Sequence, residues 1–314
     1  MNNQNSTPIE LLKLIKLSDQ VQFEEYTELK SALYKGMFNK IPVVSNKILK
    51  GDYLFRTVPV HRDDLTMGRK KYLSYRPSEC NYPFFNRCSE PEQRHFYCST
   101  DRHLSIAECS YFLSEFGNSN AAFDRTYERF EVGMWLVTQD LYVADVRFGV
   151  TSDGQIQTHK ENIKSKYKDF VKDQYINEFF EYINDSFRVP IKKKEHLKYW
   201  LTACYSNYLF DDTFNPQLNW GTMKEIESLS NMALDGILYH SVKGIKTNPP
   251  LKGFNLALRT DIIDTNKVVL VKAGIFETRL IGEKEFNFDE LVKHNIDIKN
   301  DSWYYTDADE ENIY

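Results

Sequence analysis

The chain has 314 residues, 41% hydrophobic and 27% charged, which suits a soluble globular protein with a sizeable core in one large domain or two modest ones. Its formal charge of -5 lacks the basic footprint of a general nucleic-acid binder, and no stretch approaches the roughly 18 consecutive apolar residues of a membrane-spanning helix. The five cysteines, Cys80, Cys88, Cys98, Cys109 and Cys204, fit no zinc-ligand spacing and no complete disulfide set, so reduced thiols and a cytoplasmic location are expected.

Residues 1–7 form a polar tip with no secretory pattern. Ser6-Thr7-Pro8 then reads as a helix start, with Ile9, Leu11, Leu12, Leu14 and Ile15 at helical spacing. A second amphipathic stretch covers 23–34. This helical preface, to residue 48, has too little apolar surface to fold alone and is expected to dock on the main domain. Residues 51–59 read as a strand. Residues 61–92 are irregular, punctuated by Pro77, Pro83 and Pro91, and structureless segments of that length are often functional. A short strand over 96–99 is followed by a helix over 104–112, with Ser99 or Asp101 as its N-cap.

Strands are expected over 130–137 and 141–145, and helices over 160–184, 194–209 and 223–234. The last helix leads into a strand over 236–241. Two more strands, 254–259 and 267–276, precede a polar tail. Short strands scattered among helices, without regular βαβ alternation, indicate an α+β fold. The expected organisation is a helical N-terminal extension over 1–48, a catalytic domain over 49–280 with a mainly helical insertion at about 150–210, and a C-terminal tail over 281–314.

The chemically informative segments are Tyr53-Leu54-Phe55-Arg56, His95-Phe96-Tyr97-Cys98-Ser99-Thr100, Ser105-Ile106-Ala107-Glu108 and Asp235-Gly236-Ile237-Leu238-Tyr239-His240-Ser241. Apolar strands that deliver an Arg and a Tyr, together with a helix that delivers a Glu, suit a small anionic ligand. Taken singly, each residue has a more common structural use: a surface ion pair for Arg56, core packing for Tyr97, a solvated face for Glu108, a cap for Ser241. Glycine-rich dinucleotide and Walker loops are absent, as is His-Glu-x-x-His spacing, and no metal site is expected. Asp211-Asp212 and the acidic run at 307–311 read as solvated acids, and Cys98 as a buried, inert thiol.

In combination, Arg56, Arg87, Phe96-Tyr97-Cys98-Ser99, Ala107-Glu108, the 235–241 string and Phe254-Asn255-Leu256-Ala257-Leu258 resemble the RES domain family over about residues 50–276. Members of that family are largely bacterial toxins that consume NAD and are related in fold to ADP-ribosyltransferases. The resemblance implies an ADP-ribosyltransferase-like split sheet with flanking helices. It also implies NAD as substrate and inorganic phosphate as a candidate co-substrate. Glu108, Arg56 and Tyr97 would be catalytic; Arg56, Arg87, Tyr97 and Ser241 would bind the dinucleotide. Hydrolysis or phosphorolysis of NAD is the expected reaction, in a toxin or defence effector restrained by an antitoxin or immunity protein. ADP-ribosyl transfer to a protein or nucleotide and non-catalytic NAD binding are the alternatives. The helical preface and the insertion are candidates for autoinhibition or homo-oligomer contacts. The chain departs from the family pattern at Asn86-Arg87-Cys88-Ser89, where a Gly-Arg-Trp-Asn-like string is common, and at Thr57, where many members have Tyr.

Overall fold

The computed structural model describes residues 26–36, 45–60, 67–77, 82–112, 127–147, 174–189, 193–210, 234–244, 251–280, 286–295 and 302–307. In chain order the elements are α1 (Tyr26–Gly36), β1 (Ser45–Ile48), β2 (Tyr53–Val60), β3 (Met67–Arg69), α2 (Lys70–Leu73), β4 (Phe96–Ser99), α3 (Arg102–Cys109), β5 (Tyr127–Val137) and β6 (Leu141–Asp145). They continue with α4 (Gln174–Arg188), a 3-10 turn (Lys193–Tyr199), α5 (Trp200–Phe210), β7 (Gly236–Tyr239), β8 (Asn255–Leu258), α6 (Asp261–Asp264), β9 (Val268–Leu280), β10 (Phe286–Asn295) and β11 (Ser302–Asp307). The fold is mixed α+β, with a large antiparallel sheet and a few helices. The expected helices over 9–15 and 223–234, and the first half of that over 160–184, lie outside the described residues.

Two compact units are assembled from interleaved stretches rather than from the contiguous blocks read in the sequence. The first comprises Met1–Lys47, Asn81–Gln93 and Tyr142–His240; the second comprises Ile48–Cys80, Arg94–Leu141 and Ser241–Tyr314.

In the first unit, α5 is the central element. Its Trp200-Leu201-Thr202-Ala203-Cys204-Tyr205-Ser206 run is buried throughout, which is tolerable because Ser206 returns its hydroxyl to the Thr202 carbonyl at 2.7 Å. The helix α1 turns one stripe inward. Tyr26 packs edge-on against Phe85 and Trp200, with ring centroids 5.2 and 6.1 Å apart, and Leu33, seven residues on, is buried. Between them Lys30 pairs with Glu90 at 2.6 Å. The strands β6 and β7 run parallel, Val143 beside Gly236 and Asp145 beside Leu238.

In the second unit, eight strands form one antiparallel sheet in the order β8-β4-β2-β5-β9-β10-β11-β3. Strand alternation assigns the two faces. On one, Phe130, Val132 and Phe276 pack against Ile106 of α3, with Phe55 and Cys109 at the margin. On the other lie Leu54, Phe96 and Trp135, the last two edge-to-face at 4.9 Å. There Trp303 and Tyr305 of β11 are also buried, at 2% and 7% exposure, while Tyr304 between them is 71% exposed. Residues expected to form a polar tail therefore include two strands. In β11 the inward Trp303 and Tyr305 flank the exposed Tyr304, a half-buried pattern that low overall hydropathy conceals.

One glycine in this sheet has no substitute. A Cβ on Gly68 of β3 would sit 2.1 Å from the Trp303 indole nitrogen, and Gly68 and Trp303 are register partners. Gly68→Ala is expected to destabilise the protein by about 1–3 kcal/mol through overpacking. A lowered thermal midpoint, with Tyr304→Ala as an exposed control that leaves it in place, is the measurement.

Candidate functional site

The site grows from the start of α3. Asp101 has extended backbone and its carboxylate accepts from the Leu104 amide at 2.9 Å, an N-cap that fixes where the helix begins. From that start Leu104, Ser105, Ile106 and Ala107 are buried. Ser105 anchors the helix to β2, donating to the Phe55 carbonyl at 3.0 Å and sharing a 2.8 Å hydrogen bond with the Thr57 hydroxyl. The next residue, Glu108, emerges half-buried at the helix's C-terminal turn.

Two donors converge on one oxygen of Glu108. The Ser241 hydroxyl donates a short hydrogen bond to Oε1, and the Asn255 amide donates to the same Oε1 at 2.8 Å. Both donors are themselves oriented. Asn255 Oδ1 accepts from the Ser99 hydroxyl at 2.7 Å, which fixes the amide's direction, and Ser241 Oγ accepts from the Gly244 amide at 2.8 Å. Gly244 is required for that approach, since a Cβ there would lie 2.3 Å from Leu104. Lys243 donates to the carbonyls of Glu108 and Ser110 at 2.8 and 2.9 Å, placing a cation at the negative end of the helix. Among the described residues Oε2 of Glu108 has no hydrogen-bond partner. The carboxylate is thus held by one oxygen and presents the other.

The structure joins Ser241 to Glu108 directly, although Ser241 was expected to contact a ribose hydroxyl or phosphate, and it joins Arg56 to the Tyr97 backbone. Arg56 Nη1 donates to the Tyr97 carbonyl at 2.7 Å, and its guanidinium lies 5.4 Å from the centre of the Phe96 ring. By register Arg56 opposes Gly133, on the face away from Phe55 and Thr57. No hydrogen bond or ion pair links Arg56 to Glu108. The two pairs communicate through β4, whose Tyr97 carbonyl receives Arg56 and whose Ser99 hydroxyl supports Asn255. Burial lowers the Arg56 pKa from its ordinary value. Its Nε is buried without a hydrogen-bond partner, and no described carboxylate pairs with it. Tyr97 is half-buried, with its ring edge-on to His95 at 6.4 Å. Burial, together with the Arg259 charge, pulls His95 down to about 4, so it is neutral at physiological pH.

Arg87 belongs to the first unit and has a structural task there. Its Nη1 donates to the Phe187 carbonyl at the end of α4. Its Nη2 reaches the Val189 carbonyl at 3.4 Å and the Tyr199 hydroxyl at 3.2 Å, and its guanidinium sits 5.1 and 5.9 Å from the rings of Tyr199 and Tyr239. A cation at exposed helix carbonyls is a C-terminal cap. The dinucleotide-gripping role expected for Arg87 therefore competes with contacts that already occupy its donors.

Asn255 was quoted in the sequence without a role, Ser99 as a candidate N-cap and Lys243 not at all; all three now have one. The available signal was Asn255 itself, an amide inside an apolar strand run where an unpaired polar group is costly.

The thiols take no part. Cys88, Cys98, Cys109 and Cys204 are free, and burial pushes Cys109 up to about 11 and Cys88 to about 12. Thiolates at pH 8 are consequently scarce. A colorimetric thiol reagent should label these four only slowly in the native protein and stoichiometrically after denaturation. Rapid native labelling of Cys98, mapped by mass spectrometry, would contradict this.

Compared with protein-family models and with curated proteins, the chain matches none.

Proposed function

We propose that the second unit binds NAD and cleaves its nicotinamide–ribose bond, with Glu108 as the carboxylate beside the reacting carbon. The observation that carries this reading is the one-sided anchoring of Glu108: Ser241 and Asn255 fix Oε1, and Oε2 has no partner among the described residues. Scission sends the C1′–N electron pair to nicotinamide, a neutral leaving group, and leaves an oxocarbenium-like ribosyl cation. A preorganised carboxylate stabilises that charge as it develops. No acid is needed for departure, so one carboxylate suffices. Water then adds at C1′ and loses a proton; with phosphate as the nucleophile, a phosphate oxygen forms the new bond.

Arg56 stands on the sheet face away from α3, so its part in the proposal is separate from that of Glu108. A half-buried guanidinium with a buried, orphan Nε and no carboxylate partner among the described residues suits an anionic group such as the pyrophosphate. Tyr97, on the neighbouring strand β4, would contact the nicotinamide or its ribose. Toxicity and a neutralising partner follow from the family resemblance alone and belong to the proposal.

The test is nicotinamide release from NAD by purified protein, with and without inorganic phosphate. Turnover dependent on phosphate identifies phosphorolysis; turnover in its absence identifies hydrolysis. Label from NAD transferred to a protein or nucleotide, with no free ADP-ribose, would replace both with ADP-ribosyl transfer. Binding without any consumption would reduce the site to a sensor.

A further inference from the structure

A basic cleft lies elsewhere in the same unit. The segment from β3 through α2, the end of α6 and the start of β11 enclose a cleft of about 690 Å³, within the size range of small-molecule sites, roughly 300–1,000 Å³. One wall carries Arg69, Lys70 and Lys71 in succession, and Ser74, Tyr75, Asn266 and Ser302 also line it. The single carboxylate on the lining, Asp264, accepts a 2.7 Å hydrogen bond from the Tyr75 hydroxyl. Among the described residues Arg69 and Lys71 thus line the cleft with one carboxylate that is already engaged, in a chain whose formal charge is -5. Arg69 is exposed and has no hydrogen-bond or ion-pair partner among the described residues.

The walls are fixed. Ser302 is the register partner of Arg69, and Trp303 of Gly68, so the closest packing in the sheet sits directly beneath the basic wall. Opposite, Asn266 holds a left-handed backbone with φ of 57°, and its carbonyl accepts from the Thr138 hydroxyl at 2.6 Å.

We propose that this cleft binds a phosphate-bearing small molecule of nucleotide size, with Arg69 and Lys71 taking the phosphates and the hydroxyls and the Asn266 amide taking the remainder. Contiguous cations on a rigid strand-to-helix wall suit clustered phosphate charge. An extended nucleic acid is disfavoured, because the basic residues are confined to one cleft and the net charge repels a long polyanion. The inference stands apart from the Glu108 reading and survives its failure.

Isothermal titration of the full chain with inorganic pyrophosphate and with ADP, at low and moderate salt, tests it. Saturable binding that weakens with salt is expected. The double substitution Arg69→Gln/Lys71→Gln should weaken it by about ten-fold or more with an unchanged thermal midpoint, since both side chains are exposed. In an Arg56→Gln background, which removes any pyrophosphate held at the proposed NAD site, saturable binding should persist and Arg69→Gln/Lys71→Gln should still weaken it, which separates this cleft from that site. Tighter binding of ADP than of pyrophosphate would place the nucleoside in the cleft; equal binding would restrict recognition to the phosphates. Absence of saturable heat with either probe at millimolar concentration overturns the proposal. So does binding lost in Arg56→Gln and retained in the double variant.

Discussion

Replacing Glu108 with Gln should reduce nicotinamide release from NAD by about 10²–10³-fold or more, with little change in thermal midpoint. The substitution keeps the side chain's length and its Oε1, so the Ser241 hydroxyl and the Asn255 amide keep their acceptor. What disappears is the negative charge. A neutral amide gives far less stabilisation to a ribosyl cation than a carboxylate does, whereas ground-state NAD, whose sugar carries much less charge, is bound nearly as before. The loss should therefore fall on kcat rather than KM. Removing a support rather than the carboxylate gives a graded series. Asn255→Ala deletes one of two donors and orphans the Ser99 hydroxyl, so it should cost both activity and stability. If Glu108→Gln retains wild-type turnover, the carboxylate is a structural clasp between α3 and β8, and the catalytic reading falls.

The clasp is the serious competitor because every contact Glu108 makes also serves folding. Ser99, Asn255, Ser241 and Gly244 form a continuous chain of hydrogen bonds ending on one oxygen. Such a network would stabilise the junction whether or not a ligand ever arrived. Among the described residues, an Oε2 without a donor and an Arg56 without a carboxylate distinguish the two readings. A purely structural acid would be expected to spend both oxygens on protein donors, and a purely structural arginine to find a counter-charge.

Much of the fold was legible because its elements carry local signals. The strand at Phe96–Ser99, the Asp101 cap and the β5–β6 pair follow from short apolar runs bounded by polar or capping residues. The family resemblance put Ser241 and Glu108 in one site but not in contact; 133 positions separate them and no periodicity encodes such a pairing. Arg87 shows the opposite case. Its string departs from the family pattern, and its guanidinium ends α4 instead of meeting a site residue. The interleaving of the two units was not legible at all. It depends on which distant stretches bury one another, and composition changes little across those boundaries.

Glu131 should make the protein measurably less stable as pH rises from 5 to 7, against the trend set by ordinary carboxylates. It lies on β5, 4% exposed, with the Tyr305 hydroxyl as its hydrogen-bond donor. Around it the sheet supplies Val58 and Ile275 as register partners. The nearest charged side chains along its face, Arg129 and Glu277, pair with each other at 2.7 Å. With no cation among the described residues to offset burial, desolvation pushes its carboxyl up to about 7, and the Tyr305 bond only moderates this.

Below about pH 4.5 the folded and unfolded states both carry the proton, and the group favours neither. Between there and about pH 7 the unfolded chain ionises while the folded protein stays neutral, so stability falls across that window and then levels off. The full span corresponds to on the order of 3 kcal/mol. Glu131→Gln removes the ionisation and preserves an acceptor for Tyr305. The difference between wild type and variant, from denaturant melts at pH 4, 6 and 8, should grow in the variant's favour with pH and then plateau. Tyr305→Phe should move the upper edge of the window higher, because it deletes the one interaction that lowers the carboxyl's pKa. A pH-independent difference between wild type and Glu131→Gln would mean that Glu131 is ionised in the folded protein, and that the packing of β11 over β5 admits water.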